Sequence, residues 1–243
     1  MPRLNSGLEV LKELKTLGIS AFDIQPTTPG DTTTTAPVAA GATTVAVTAL
    51  TNFTAADPVF LIGDGGVELL KIGTPATTMP ITQNAAIAQS TGARFVEAVE
   101  RVLGHVESGG VEIGGSYSLA PVNSAVWRTP ITYLPSGPAE LSLAFSLLGI
   151  NTENFLRAFA ATETLLGTGT SQDPYRALID GTTVGTQGTQ CIRVLGTRQD
   201  LKTVQVDFLN PTTEVAVQGT MGGSTPLALR MQLKPTAFIV RIW

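Results

Sequence analysis

The residues able to do chemistry are few and widely spaced. His105 is the only histidine and Cys191 the only cysteine, so neither an imidazole cluster nor a thiolate cluster can hold a metal within one subunit. A triad of His105 with Ser108 or Ser116 stays open. The sequence around His105 is typical of a strand and turn, which favours an ordinary structural histidine. Cys191 lies in a strand pattern, and we interpret it as a buried or half-buried structural thiol.

Two further patterns in the first third of the chain resemble binding loops. Residues 63–66 are glycine-rich but lack the Lys-Ser/Thr pair of a phosphate-binding loop, so we predict a tight turn between strands. Asp57, Asp64 and Glu68 lack the alternating acidic spacing of a calcium loop, and we interpret them as solvated turn carboxylates. The expectation is a protein that is not an enzyme, with no catalytic residue, no cofactor and no metal.

Composition points to a structural role. Charged residues make up 14% of the 243 positions, and the formal net charge is −4. A surface that grips nucleic acid concentrates Lys and Arg, so this balance argues against specific DNA binding. The low charge leaves many surface positions to small neutral residues, as is typical of surface buried between subunits.

No segment has the pattern of a leader or a membrane span. The first 17 residues interleave Arg3, Glu9 and Lys12 with apolar residues, unlike the continuous apolar stretch of a signal peptide. No run approaches the roughly 20 apolar residues that a spanning helix needs. We expect a soluble protein without a membrane partner.

The N-terminal part of the chain is predicted to form three segments. Residues 1–25 are an N-terminal helix and arm, because leucines lie on one face between residues 4 and 17, with Ser6 as N-cap and Gly18 as the stop. Residues 26–41, rich in Pro and Thr, are an extended linker expected to order only against a neighbouring subunit. Residues 42–75 are a small β insertion, and residues 73–88 separate it from the rest.

Residues 89–243 are predicted to form the main domain. The clearest strand is 140–147, where large apolar residues alternate with Ser142, Ala144 and Ser146. Small neutral residues on the second face favour contact with another chain. A helix is expected to open at Asn151, and alternating strands run from Gln190 to the last residues. The predicted fold is mainly β, an antiparallel β-sandwich or partly closed barrel with one flanking α-helix.

The order of elements in the centre of the chain resembles the tail tube proteins of bacteriophages. The matching residues are Gly109-Gly110-Val111-Glu112-Ile113 up to Pro121, then Trp127-Arg128-Thr129-Pro130-Ile131, then the strand 140–147, then Asn151-Thr152-Glu153-Asn154-Phe155-Leu156. The resemblance covers about residues 100–160 by these motifs, and from residue 190 onward only by strand order. The insertion at 42–75 looks like a small β domain of phage virion proteins and favours a non-contractile tail.

This resemblance implies a structural virion protein of the phage tail, made in the host cytoplasm. Its partners are further copies in hexameric rings stacked into a hollow tube, other tail proteins, and DNA that passes without specific binding. Glu112, Glu140 and Asp207 are candidates for an acidic lumen wall. Equally, they could pair with Arg230 or Arg241 across subunits.

Two alternative functions stay open. A tail terminator or a baseplate (distal tail) ring component shares nearly all of these features, but it would stop at one ring. A carbohydrate-binding or hydrolytic β protein would need clustered aromatic residues or paired carboxylates. Aromatic residues are 6% of the chain, and Trp127 and Trp243 lie far apart in sequence.

Overall fold

The computed structural model describes residues 15–25, 27–116, 119–122, 132–135, 140–148, 170–172, 189–197, 201–215 and 228–243. These residues form antiparallel β-sheets, and no helix occurs among them. The flanking helix expected at Asn151 lies outside this part of the chain. The strands are β1 (Lys15–Ile24), β2 (Asp31–Thr33), β3 (Thr44–Ala46), β4 (Pro58–Gly63), β5 (Gly66–Lys71), β6 (Thr78–Pro80), β7 (Arg94–Ser116), β8 (Leu119–Val122), β9 (Thr132–Pro135), β10 (Glu140–Leu148), β11 (Thr189–Thr197), β12 (Thr203–Leu209), β13 (Thr212–Val215), β14 (Ala228–Lys234) and β15 (Ala237–Ile242).

The largest element is a curled, half-barrel sheet that we call the main sheet, with strand order β13-β14-β10-β7-β1-β11-β12-β15. Its inner face is apolar because large side chains recur at every second position of each strand. In β10 these are Leu143, Phe145 and Leu147, all buried as the alternation predicts. They pack on apolar residues of β11, β12 and β14 to form the main core.

A second body, the small unit, spans residues 27–97 and has its own core. The hairpin β4–β5 and strand β2 pair with the first residues of β7, and β3 pairs with β6. Gly63 and Gly66 close the hairpin, and Gly66 has a φ of +117°, which a side chain would strain. The predicted tight turn at residues 63–66 is confirmed. β7 continues from this unit into the main sheet as one strand of 23 residues.

Residues 27–41, of the predicted linker 26–41, and residues 73–88 are part of this small unit, which is larger than the predicted insertion at 42–75; residue 26 lies outside the described part. Val38 and Met79 are buried in its core, as are Thr32 and Thr34. The hydroxyl oxygens of Thr32 and Thr34 accept the backbone N–H groups of Ala49 (2.9 Å) and Ala93 (3.1 Å). Threonine can be buried here because its hydroxyl replaces a missing backbone partner. The expectation that residues 26–40 order only against a neighbour is therefore wrong.

The predicted N-terminal helix is also corrected where the structure describes it. Residues 15–24 form β1, and Gly18 lies within that strand; residues 1–14 lie outside the described part. β1 pairs with β7 on one edge and β11 on the other. The residues of the predicted helix that are described, 15–17, belong to the part of β1 that pairs with β11, and tertiary pairing of this kind often overrides a weak helical preference.

The small unit covers the outer face of the main sheet at β1, β11 and β12. A shared group of apolar residues, which we call the joint cluster, fills this boundary. Its members are Phe22, Phe60, Val67, Leu69, Val96, Ala98, Cys191 and Leu209. The sheet region β1–β11–β12 is thus apolar on its inner face and covered by the small unit on its outer face.

Candidate functional site

The three acidic residues predicted to line a lumen lie in different environments. Glu140 is exposed at the start of β10. Glu112 is exposed on β7, with its Oε2 3.6 Å from Arg230 Nη2 of the same chain. Asp207 is fully buried and ion-paired within the subunit. Burial removes Asp207 from the lumen-facing set, and both predicted arginine partners are engaged within one chain.

Asp207 lies on the outer face of β12, where the small unit covers it. Its Oδ1 accepts Arg193 Nε at 2.6 Å. Its Oδ2 accepts Arg193 Nη2 at 3.0 Å, Gln205 Nε2 at 2.7 Å and Arg241 Nη1 at 2.8 Å. Strand pairing brings these groups together, because Arg193 on β11 and Asp207 on β12 are direct cross-strand partners.

Glu68 approaches the same place from β5 of the small unit. Its Oε1 accepts the Ala86 N–H at 2.7 Å and Arg241 Nη2 at 2.5 Å, and its Oε2 accepts the Ile87 N–H at 3.0 Å. Burial raises the pKa of the Glu68 carboxyl above its ordinary value, and the hydrogen bonds from Ala86 and Ile87 act in the opposite direction. All three donors need an acceptor oxygen, so the carboxylate is the form that satisfies the site.

Together Glu68, Arg193, Asp207 and Arg241 form what we call the ion cluster, with two negative and two positive charges. Arg241 is its centre, since one guanidinium contacts a carboxylate of the small unit and one of the main sheet. Arg193 also lies over the ring of Phe22, 5.0 Å from its centroid. The oxygens already accept protein donors, so this arrangement is suited to holding two bodies together rather than to chemistry.

Within the part of the chain that the structure describes, the other candidate catalytic or ligand residues do not come together in one site. Within the described residues, no group of three or more His, Cys, Asp or Glu side chains could hold a metal ion. Burial raises the pKa of the Cys191 thiol well above its ordinary value, which confirms the buried thiol. His105 lies within β7, opposite Leu148. Asp57 and Asp64 bond to nearby turn groups, but Glu68 is not a solvated turn carboxylate.

The most unusual surface lies on β15, at one end of the main sheet. Phe238, Val240, Ile242 and Trp243 are 41%, 39%, 43% and 57% exposed. The first three extend the apolar inner face, because they are the cross-strand partners of Phe208, Val206 and Val204. Their side chains continue the main core outward into solvent.

The backbone N–H and C=O groups of Phe238, Val240 and Ile242 face away from the rest of the sheet. Trp243 and Thr203 exchange two hydrogen bonds, of 3.1 and 2.9 Å, and so form a hydrogen-bonded pair. Since such pairs alternate along an antiparallel ladder, Arg241 and Ile239 also bond to β12, and residues 238, 240 and 242 direct their N–H and C=O groups outward. No strand among the described residues pairs with this side of β15. We call these three residues the β15 edge.

No protein-family model matches the sequence, and a search of curated proteins finds no match. The part of the chain that the structure describes contains no helix long and apolar enough to cross a membrane. The site is therefore interpreted from its own geometry.

Sequence reasoning found Asp207 and Arg241 but missed Glu68 as their partner. Glu68 precedes Asp207 by 139 positions, and no local pattern links them. The available signal was local: a carboxylate in the run Val67-Glu68-Leu69-Leu70, whose other residues are all apolar, indicates a buried and paired group.

Proposed function

We propose that this protein is a structural subunit that assembles with copies of itself, as the tail tube proteins it resembles do. The observation that carries the proposal is the β15 edge. Soluble sheets normally protect an outer strand with charged residues, proline or a bulge. Here the residues whose backbone groups face away from β12 are Phe238, Val240 and Ile242. The one charged residue of the strand, Arg241, has its side chain on the outer face of the sheet, under the small unit.

A second copy is the partner that this edge fits. The main sheet is open, with β15 at one end of its described strand order and β13 at the other. A contact between two different edges of identical subunits is heterologous, and it produces a closed ring or an open filament. Pairing of this kind would satisfy the outward backbone groups and bury the apolar row in one step. Hexameric rings stacked into a tube in a phage tail remain part of the proposal, on the resemblance.

The main test is electron microscopy of the purified protein over a range of concentrations and salt, with light scattering alongside. A tube subunit forms long hollow polymers, and a terminator or baseplate component forms single rings. A protein that stays monomeric under all conditions contradicts the proposal.

Two lysine variants test the edge itself. We expect Val240→Lys to abolish assembly, because a charge in the apolar row would be buried without a partner. Val102→Lys is the matched control: Val102 is 69% exposed but lies on β7, inside the sheet. We expect it to assemble as the unchanged protein does. Equal behaviour of the two variants would contradict an interface at β15.

A further inference from the structure

Arg241 lies between Val240 and Ile242, so it connects the β15 edge to the ion cluster. Its backbone belongs to the pairs that join β15 to β12, and its neighbours form the edge. Its side chain lies on the opposite face, where it contacts Glu68 of the small unit at 2.5 Å and Asp207 at 2.8 Å. Arg241 therefore takes part both in the placement of the edge strand and in the contact with the small unit.

The rest of β15 is weakly held. Among the strands that the structure describes, it pairs only with β12. Its burial pattern leaves Ala237, Phe238, Val240 and Ile242 exposed, and only Ile239 and Arg241 are partly buried. Ile239 packs on the joint cluster. Edge strands with few buried contacts open locally at low free-energy cost. The packing of Ile239 on the joint cluster and the ion pairs of Arg241 are therefore the side-chain contacts that hold this strand.

We infer that Glu68 and Arg241 are positioning residues for the β15 edge: docking of the small unit through this pair holds β15 in the conformation that presents the edge to another subunit. Neither residue is part of the contact surface. Docking of the small unit on the outer face of the main sheet thus favours assembly indirectly, by positioning β15. The consequence for assembly rests on the proposed function, whereas the effect on β15 is measurable in the monomer.

Glu68→Gln tests the inference without changing any residue of β15. The amide keeps the shape of the side chain but replaces one acceptor oxygen by an NH₂ group that faces N–H donors. Ile72→Val is the matched control, because it removes a methyl group from the core of the small unit and leaves the ion cluster intact. Arg241→Lys is a second variant, since one ammonium cannot bridge two carboxylates as the planar guanidinium does.

Two measurements on dilute full-length protein report the docking. One is hydrogen exchange of the backbone amides of Ile239 and Arg241, taken relative to the amides of β10, which report global unfolding. The other is the rate of maleimide labelling at Cys191, the only cysteine, which is buried in the joint cluster. We expect Glu68→Gln and Arg241→Lys to accelerate both by about ten- to a hundredfold, the loss expected for a charge-assisted hydrogen bond. Ile72→Val should leave the relative exchange unchanged.

Assembly is then compared at equal protein concentration. We expect the concentration needed for assembly to rise in Glu68→Gln and Arg241→Lys and to stay unchanged in Ile72→Val. Unchanged exchange at β15 in Glu68→Gln, or the same increase in Ile72→Val, overturns the inference. Loosened β15 with unchanged assembly also overturns it. If the unchanged protein never assembles, the proposed function fails, and the exchange data still decide whether Glu68 and Arg241 position the strand.

Discussion

At the scale of residues, the ion cluster brings together two carboxylates and two guanidinium groups. Burying any one of these charged groups alone would cost much free energy. Asp207 is fully buried and accepts four hydrogen bonds from three side chains. The cluster is neutral overall, so the cost of removing these charges from water is offset by their mutual attraction and hydrogen bonds. Losing any one member leaves a buried charge without compensation.

Asp207→Asn should therefore lower the free energy of unfolding by about 3–5 kcal/mol, because Arg193 would lose its carboxylate partner and Arg241 would keep only Glu68. Denaturant unfolding measures the loss. The control is Asp31→Asn, which removes the exposed ion pair with Arg94 and should cost no more than about 1 kcal/mol. Similar losses in the two variants would show that the cluster contributes no more than a surface pair.

At the scale of elements, the long strand β7 orders segments that lie far from it in the sequence by pairing with them. β7 pairs with β2 and β4 at its start, with β1 in its middle and with β10 at its end. Residues 31–38 gain their order from this scaffold. The composition of the segment opposes a helix, but its backbone groups pair with residues about 50 to 60 positions later, such as Gln89 and Ala93.

A substitution at Val38 tests whether residues 31–38 are part of the core of the small unit. Val38→Asp should cost more than about 4 kcal/mol and unfold the small unit in the monomer, since Val38 is 3% exposed and an unpaired carboxylate would replace it. Ala39→Asp, at the exposed neighbouring position, should stay within about 0.5 kcal/mol of the unchanged protein. Unfolding of dilute protein gives both values, and a tolerated Val38→Asp would restore the linker interpretation.

At the scale of the whole molecule, several arginines are engaged by carboxylates of the same chain. Arg193 and Arg241 are in the ion cluster, Arg94 pairs with Asp31, and Arg230 lies beside Glu112. The net charge of −4 disfavours adhesion to a phosphate backbone. If the protein forms the proposed tube, we expect DNA to pass through it without adhering.

Assembled protein should therefore bind DNA weakly even at about 50 mM salt, where phosphate contacts are strongest. Glu112→Lys and Glu140→Lys should each create binding that weakens steeply by about 200 mM salt, because an assembly repeats every new contact. Glu100→Lys, an exposed charge reversal elsewhere on β7, is the control. Tight binding by the unchanged assembly contradicts the passive conduit, and equal binding by all three variants contradicts a lumen position for Glu112 and Glu140.

The sequence by itself determined the β class, the strand at residues 140–147, the turn at 63–66 and the buried thiol of Cys191. These features depend on local alternation and turn chemistry, which a short window of residues contains. It did not determine β1, the order of residues 27–41 or the burial of Asp207. Period-two alternation shows that Asp207 and Val206 face opposite ways, but only the tertiary structure decides whether each face meets solvent, a neighbouring subunit or the chain's own small unit.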